Sequence, residues 1–101
     1  MVVFVYRWRL VPGKEDVYRA AWRKVTLGIR ETQGGLGSRL HRAADGTWLA
    51  YAQWPSVEAR ERARAMGSPD PAASEAMRGC IAERFDELVL EVVDDLLPMQ
   101  S

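Results

Sequence analysis

Gly37–Arg60, GSRLHRAADGTWLAYAQWPSVEAR, is the stretch that decides the fold. Ser38–Ala43 and Thr47–Trp54 read as strands, and the Asp45-Gly46 pair between them is a strong hairpin signal, because tight turns need backbone angles that glycine adopts at no cost. Trp54-Pro55-Ser56 then opens a helix to about Met66. Ser56 is a good N-cap, and Glu58 suits the positive end of the helix dipole. Along the second strand Trp48, Ala50, Ala52 and Trp54 alternate with Leu49, Tyr51 and Gln53. Both sets are largely apolar, so both faces of this strand should be covered. The only histidine, His41, lies on the same hairpin.

Before the hairpin, Val2–Val11 alternates with period two. Val2, Phe4, Tyr6, Trp8 and Leu10 form one apolar face; Val3, Val5, Arg7 and Arg9 form a face that begins apolar and ends cationic. Arg7 and Arg9 are expected to pair with acids of the last strand, such as Glu91, or of a partner. Pro12-Gly13 stops the strand. Lys14–Thr32 then places Tyr18, Trp22, Val25 and Ile29 on one helical stripe, with charged residues opposite. Gln33-Gly34-Gly35-Leu36-Gly37 ends that helix.

Beyond the hairpin and its helix, Gly67–Pro71 reads as a loop. Ala72 to about Phe85 reads as a short helix, with Met77, Ile81 and Phe85 four apart. Glu87–Leu97 reads as the last strand, stopped by Pro98. The order β-α-β-β-α-β, with the second helix in two pieces, predicts an α+β, ferredoxin-like domain: a four-stranded antiparallel sheet with helices on one face. Two bare sheet faces are expected to meet in a homodimer.

Bulk properties bound the rest. The 101 residues form one expected domain, 1–101. Fourteen basic residues balance fourteen acidic ones, which gives no electrostatic reason for nucleic acid or an anionic membrane as partner. No apolar run approaches the ~20 residues needed to span a bilayer. Cys80 is the single cysteine, so an intrachain disulfide is excluded, and with one histidine no metal site of Cys and His is expected. A cytoplasmic location is the expectation. Gly34–Gly37 precedes a strand rather than a helix and is therefore a turn, not a phosphate cradle.

Val11-Pro12-Gly13-Lys14-Glu15-Asp16, Gly34–Arg42 and Tyr51–Arg60 together resemble the antibiotic biosynthesis monooxygenase-like family of dimeric α+β barrels. The resemblance covers nearly the whole chain. It implies oxygenation of a small phenol-, quinol- or anthrone-like compound with no cofactor and no metal, the substrate supplying the electrons. Such chemistry needs aromatic walls, a proton acceptor and a group to hold an anion. Carried over by the resemblance, the expected catalytic residues are Trp54 as the junction tryptophan, His41 as proton acceptor and Arg39 as anion holder. The expected substrate-binding residues are Tyr51, Gln53, Trp22 and Tyr18. Many relatives carry a histidine on the helix after the tryptophan; here that stretch, Glu58–Ala63, has none. The same fold also serves a non-oxygenase ligand-binding dimer or a cofactor-free isomerase, and the residues alone leave that alternative open.

Overall fold

The computed structural model describes residues 1–98; the expected domain runs on through 99–101, which lie outside the described residues. The elements are β1 (Val2–Leu10), α1 (Glu15–Thr32), β2 (Gly37–Arg42), β3 (Trp48–Trp54), α2 (Val57–Ala65), α3 (Pro71–Cys80), β4 (Ile81–Arg84) and β5 (Leu88–Glu91). All strand pairs are antiparallel, in the order β2-β3-β1-β4, with β5 also on β1. The ferredoxin-like expectation holds, with one difference: the sheet has five strands, not four.

The difference lies in the last quarter of the chain. The expected helix to Phe85 stops at Cys80, and Ile81–Arg84 is instead strand, paired with the C-terminal half of β1. Gly79 weakens the helix end, and an unpaired sheet edge is available to the residues that follow. Phe85 is fastened to that edge as well. Its N–H donates to the Arg7 carbonyl at 3.0 Å, and the guanidiniums of Arg7 and Arg9 lie 4.7 and 5.8 Å from its ring centroid. Tertiary pairing thus overrides the four-residue spacing of Met77, Ile81 and Phe85. The expected strand Glu87–Leu97 is likewise shorter. It pairs along Val5–Val2, and the last backbone bond runs from Val92 N–H to the Met1 carbonyl. Beyond that point β1 has ended and offers no partner.

Two apolar clusters hold the helices to one face of the sheet. Trp8, Tyr18, Trp48, Ala50 and Cys80 form one; Phe4, Trp54 and Ala63 form the other. Ser56 caps α2 by accepting from the Ala59 N–H, as its position predicts, and Asp70 caps α3 in the same way, with Pro71 in the first turn. Gly35 shows how closely α1 approaches β3: a Cβ there would lie 2.7 Å from Ile29 Cγ2 and 3.5 Å from the Trp54 ring. Gly35→Ala is therefore expected to cost about 1–3 kcal/mol by overpacking, read as a lower midpoint in urea.

The hairpin turn is tied to β1 by side chains. Asp45 accepts from the Thr47 hydroxyl at 2.6 Å and the Thr47 N–H at 3.0 Å, and Arg7 donates to Asp45 at 3.0 Å. Arg9 pairs with Glu83. The expected pairing of these arginines with Glu91 is thereby corrected, because the β1–β5 register sets Glu91 opposite Val2, at the far end of the strand. The Thr47 hydrogen bonds, with Arg7 behind them, hold the Asp45 carboxyl down at about 2 from its ordinary 3.8. A carboxyl lowered on folding stabilises the fold above its unfolded pKa, and that contribution fades as pH falls through the folded value. Melting temperatures of the native chain and Asp45→Asn should accordingly differ at pH 5 and converge toward pH 2.

The other sheet face carries Val5, Leu49, Tyr51, Leu88 and Leu90 and has no helix over it; Leu88 and Leu90 are exposed.

Candidate functional site

A cavity of about 360 Å³ lies between the helix-bearing sheet face, α1 and α3. Residue size creates it. On β3 the side chains facing the helices run Trp48, Ala50, Ala52, Trp54, and the two alanines leave a hollow that Trp54 closes at one end. Tyr6 and Trp8 of β1 complete the floor, opposite Ala50 and Trp48. Tyr18, Trp22 and Ile29 of α1 form the roof. Ser74, Met77 and Arg78 of α3 and Arg84 of β4 form the far wall. No Asp or Glu lines this space; its polar groups are hydroxyls, an amide and guanidiniums.

Beside the floor, on the same face of the sheet, sits a buried cation. Arg60 of α2 is 8% exposed, and its Nη2 donates to the Tyr6 hydroxyl and to the Glu87 carboxylate, each at 2.9 Å. Its guanidinium also lies 4.1 Å from the Phe4 ring centroid. The Tyr6 oxygen therefore accepts from Arg60, which leaves its own proton free to be donated. Burial raises the Tyr6 pKa, against the lowering effect of Arg60, and burial likewise raises that of Tyr18. Both phenols thus stay neutral donors near neutral pH. Among the described residues the buried indole N–H of Trp8 has no hydrogen-bond partner, an omission worth about 1–3 kcal/mol.

The family model for antibiotic biosynthesis monooxygenases matches residues 1–69. The chain belongs to the antibiotic biosynthesis monooxygenase family. The matched segment supplies the floor and roof of the cavity; the wall from α3 and β4 falls outside it. Among solved structures, SnoaB, a cofactor-independent oxygenase from Streptomyces nogalater, is similar with a TM-score of 0.76 and 18% identity, over 94% of this chain and 95% of that one. Rv0793 from Mycobacterium tuberculosis is similar at 0.74 and 18%, over 95% and 98%. A conserved protein from Methanosarcina mazei Go1 reaches 0.72 at 7% identity, over 87% and 88%. At these identities the likeness is one of fold. No curated protein matches the chain.

Within this family frame the residues expected at the site divide between two places. Trp54, Trp22, Tyr18 and Gln53 line the cavity. Arg39 and Tyr51 line a neighbouring hollow, which Trp22 and Gln53 also border. There the Gln53 amide donates to the Tyr51 hydroxyl at 2.7 Å. His41 borders none of these spaces. It is exposed, on the face without helices, with Nδ1 3.3 Å from the Leu49 carbonyl oxygen and its ring edge-on to Tyr51 at 6.5 Å. The strand register explains the separation: Arg39 and His41 pair with Tyr51 and Leu49, so all four point away from Trp48 and Trp54.

Sequence reasoning did not assign Tyr6, Arg60, Arg78 or Arg84 to the site. Tyr6 and Trp8 lie on the apolar face of β1 and read as packing, which they also are. The signal that points to a hollow instead is the pair of alanines on β3, opposite Phe4 and Tyr6. For Arg60 no local signal exists, since its partners Tyr6 and Glu87 are remote in sequence. Among the described residues, no three of His, Cys, Asp and Glu come together as metal ligands, and no helix is long and apolar enough to cross a membrane.

Proposed function

We propose that the cavity binds a small phenol-, quinol- or anthrone-like compound and that the protein oxygenates it without a cofactor. The observation that carries this reading is the lining itself: aromatic on floor and roof, rich in hydrogen-bond donors, and free of carboxylates. Such a space favours a flat ring and, more strongly, its anion. Trp54, Trp22 and Tyr18 would flank the ring, while the Gln53 amide stays engaged with Tyr51 on the side of the neighbouring hollow. The Tyr6 hydroxyl, its oxygen already engaged by Arg60, would donate its free proton to the anionic oxygen. No carboxylate or imidazole lines the cavity, so the substrate proton leaves to water at the opening. His41, outside the cavity, would take no part in the proton transfer, and Arg39 would act from the neighbouring hollow.

The electrons come from the substrate anion. One atom of dioxygen is retained as the new carbonyl oxygen, and the other leaves as water with the two hydrogens of the oxidised CH₂ group, or of the phenol and its para carbon. The test is an oxygen-electrode measurement with anthrone- and quinol-type compounds. Anthrone-type turnover should consume one dioxygen per quinone formed, with one labelled atom from ¹⁸O₂ in the product. Retention of these compounds without oxygen uptake would sink the oxygenase reading in favour of a binding dimer or an isomerase.

The reading includes a homodimer through the bare sheet face. Leu88 and Leu90 there are 56% and 45% exposed, an unusual display of leucine on a short strand. Sedimentation should give twice the 11.4 kDa chain mass, and Leu88→Asp with Leu90→Asp should shift the protein to monomer.

A further inference from the structure

The hollow beside the cavity has a different character. It holds about 480 Å³ and is lined by Arg23 and Arg30 of α1 and Arg39 of β2, with no Asp or Glu on its walls. Among the described residues these three arginines have no carboxylate within ion-pair distance; Arg19, Arg42, Arg62, Arg64 and Arg84 share that state, but only these three converge on one hollow. In a chain whose charges balance, three unpaired guanidiniums around one concavity are a local excess. Their mutual repulsion is relieved when an anion enters, so the hollow is poised for one. It also adjoins the aromatic cavity. Trp22 and Thr26 of α1, Gly37 and Ser38 of β2, and Gln53 of β3 border both spaces. At the junction Gly37 has no side chain to close the passage, and Arg30 runs alongside, its Cδ 3.8 Å from where a Cβ would stand.

We propose that the arginine hollow is a subsite for a carboxylate carried by the aromatic substrate, held apart from the reacting ring. This rests on the reading that the neighbouring cavity takes the ring, and it narrows the substrate class to aromatic carboxylates. The planar guanidinium matches a carboxylate with two parallel hydrogen bonds, a geometry that lysine or a hydroxyl does not offer. The carboxylate is not consumed: it contacts the protein equally before and after oxygenation, so its contribution falls on binding rather than on the chemical step.

Isothermal titration calorimetry with anthraquinone-2-carboxylate and its neutral carboxamide as probes tests the subsite. The carboxylate should bind about tenfold more tightly at low salt, with the advantage shrinking as salt is raised. Arg23→Gln/Arg30→Gln/Arg39→Gln should bring its affinity down to that of the carboxamide. All three positions are exposed, and circular dichroism checks that the variant is folded. Equal affinity of the two probes for the native chain would overturn the subsite and leave the ring cavity standing. A preference that survives the triple change but is lost in Arg84→Gln would put the carboxylate at the β4 wall and also overturn it. Binding of neither probe would overturn the cavity reading and this inference together.

Discussion

Trp54→Ala is expected to lower stability by about 3–5 kcal/mol, the range for emptying a large aromatic from a core, and to reduce oxygen uptake at least tenfold. Trp54 is 6% exposed; it packs on Phe4 and Ala63 and forms one end of the cavity. Its ring also abuts Gly35, the segment that joins α1 to β2. Truncation would merge the cavity with the space under α2 and leave α2 resting on few contacts. A domain of this size has roughly 5–15 kcal/mol in total, so the loss is a large share. Urea melts measure the stability term. Oxygen uptake at a temperature where the variant stays folded measures the other, and Trp54→Phe, which keeps most of the ring, should recover much of both. Full activity in a folded Trp54→Ala protein would remove Trp54 from the site.

Arg60→Met is expected to cost about 2–3 kcal/mol and to slow turnover through Tyr6. The guanidinium makes two charge-assisted hydrogen bonds and covers the Phe4 ring, contacts worth about 1–3 kcal/mol each before desolvation is subtracted. Glu87 is only partly buried, so it relaxes into water once Arg60 is gone. The reverse change is harsher in kind: Glu87→Ala leaves a cation at 8% exposure without its carboxylate. Coupling is the informative quantity. A double-mutant cycle should show that removing both residues costs less than the sum of the single losses, by roughly 1–3 kcal/mol. Additive losses would mean that the Arg60–Glu87 pair contributes nothing and that Arg60 acts through Tyr6 and Phe4 alone. Tyr6→Phe should reproduce the loss of activity with little loss of stability, since it removes the donated proton and keeps the ring.

How far the sequence reaches is clearest from particular elements. The hairpin, the Ser56 cap and the stripe on α1 follow from local chemistry, and the structure agrees within a residue or two. The third helix misleads because its last residues are claimed by β1, a contact more than seventy positions away, which no window on the sequence contains. The site divides along the same line. Trp54, Trp22 and Tyr18 are legible because large aromatics on the helix-facing side must meet somewhere. His41 and Trp54 look like neighbours on a printed hairpin, yet the pleat sends them to opposite faces. Arg60 and Tyr6 are invisible for the opposite reason: they touch in space across most of the chain.

Three of the four tryptophans, Trp8, Trp22 and Trp54, border the cavity. The molecule therefore carries its own optical probe. A quinone or other flat chromophore entering this space would quench most of the indole emission at once, while Trp48, which lies outside the cavity lining, would supply a residual signal as internal reference. Occupancy can thus be followed in a cuvette without a label, on the same sample whose oxygen consumption is being recorded, and the order of filling and reaction read from one trace.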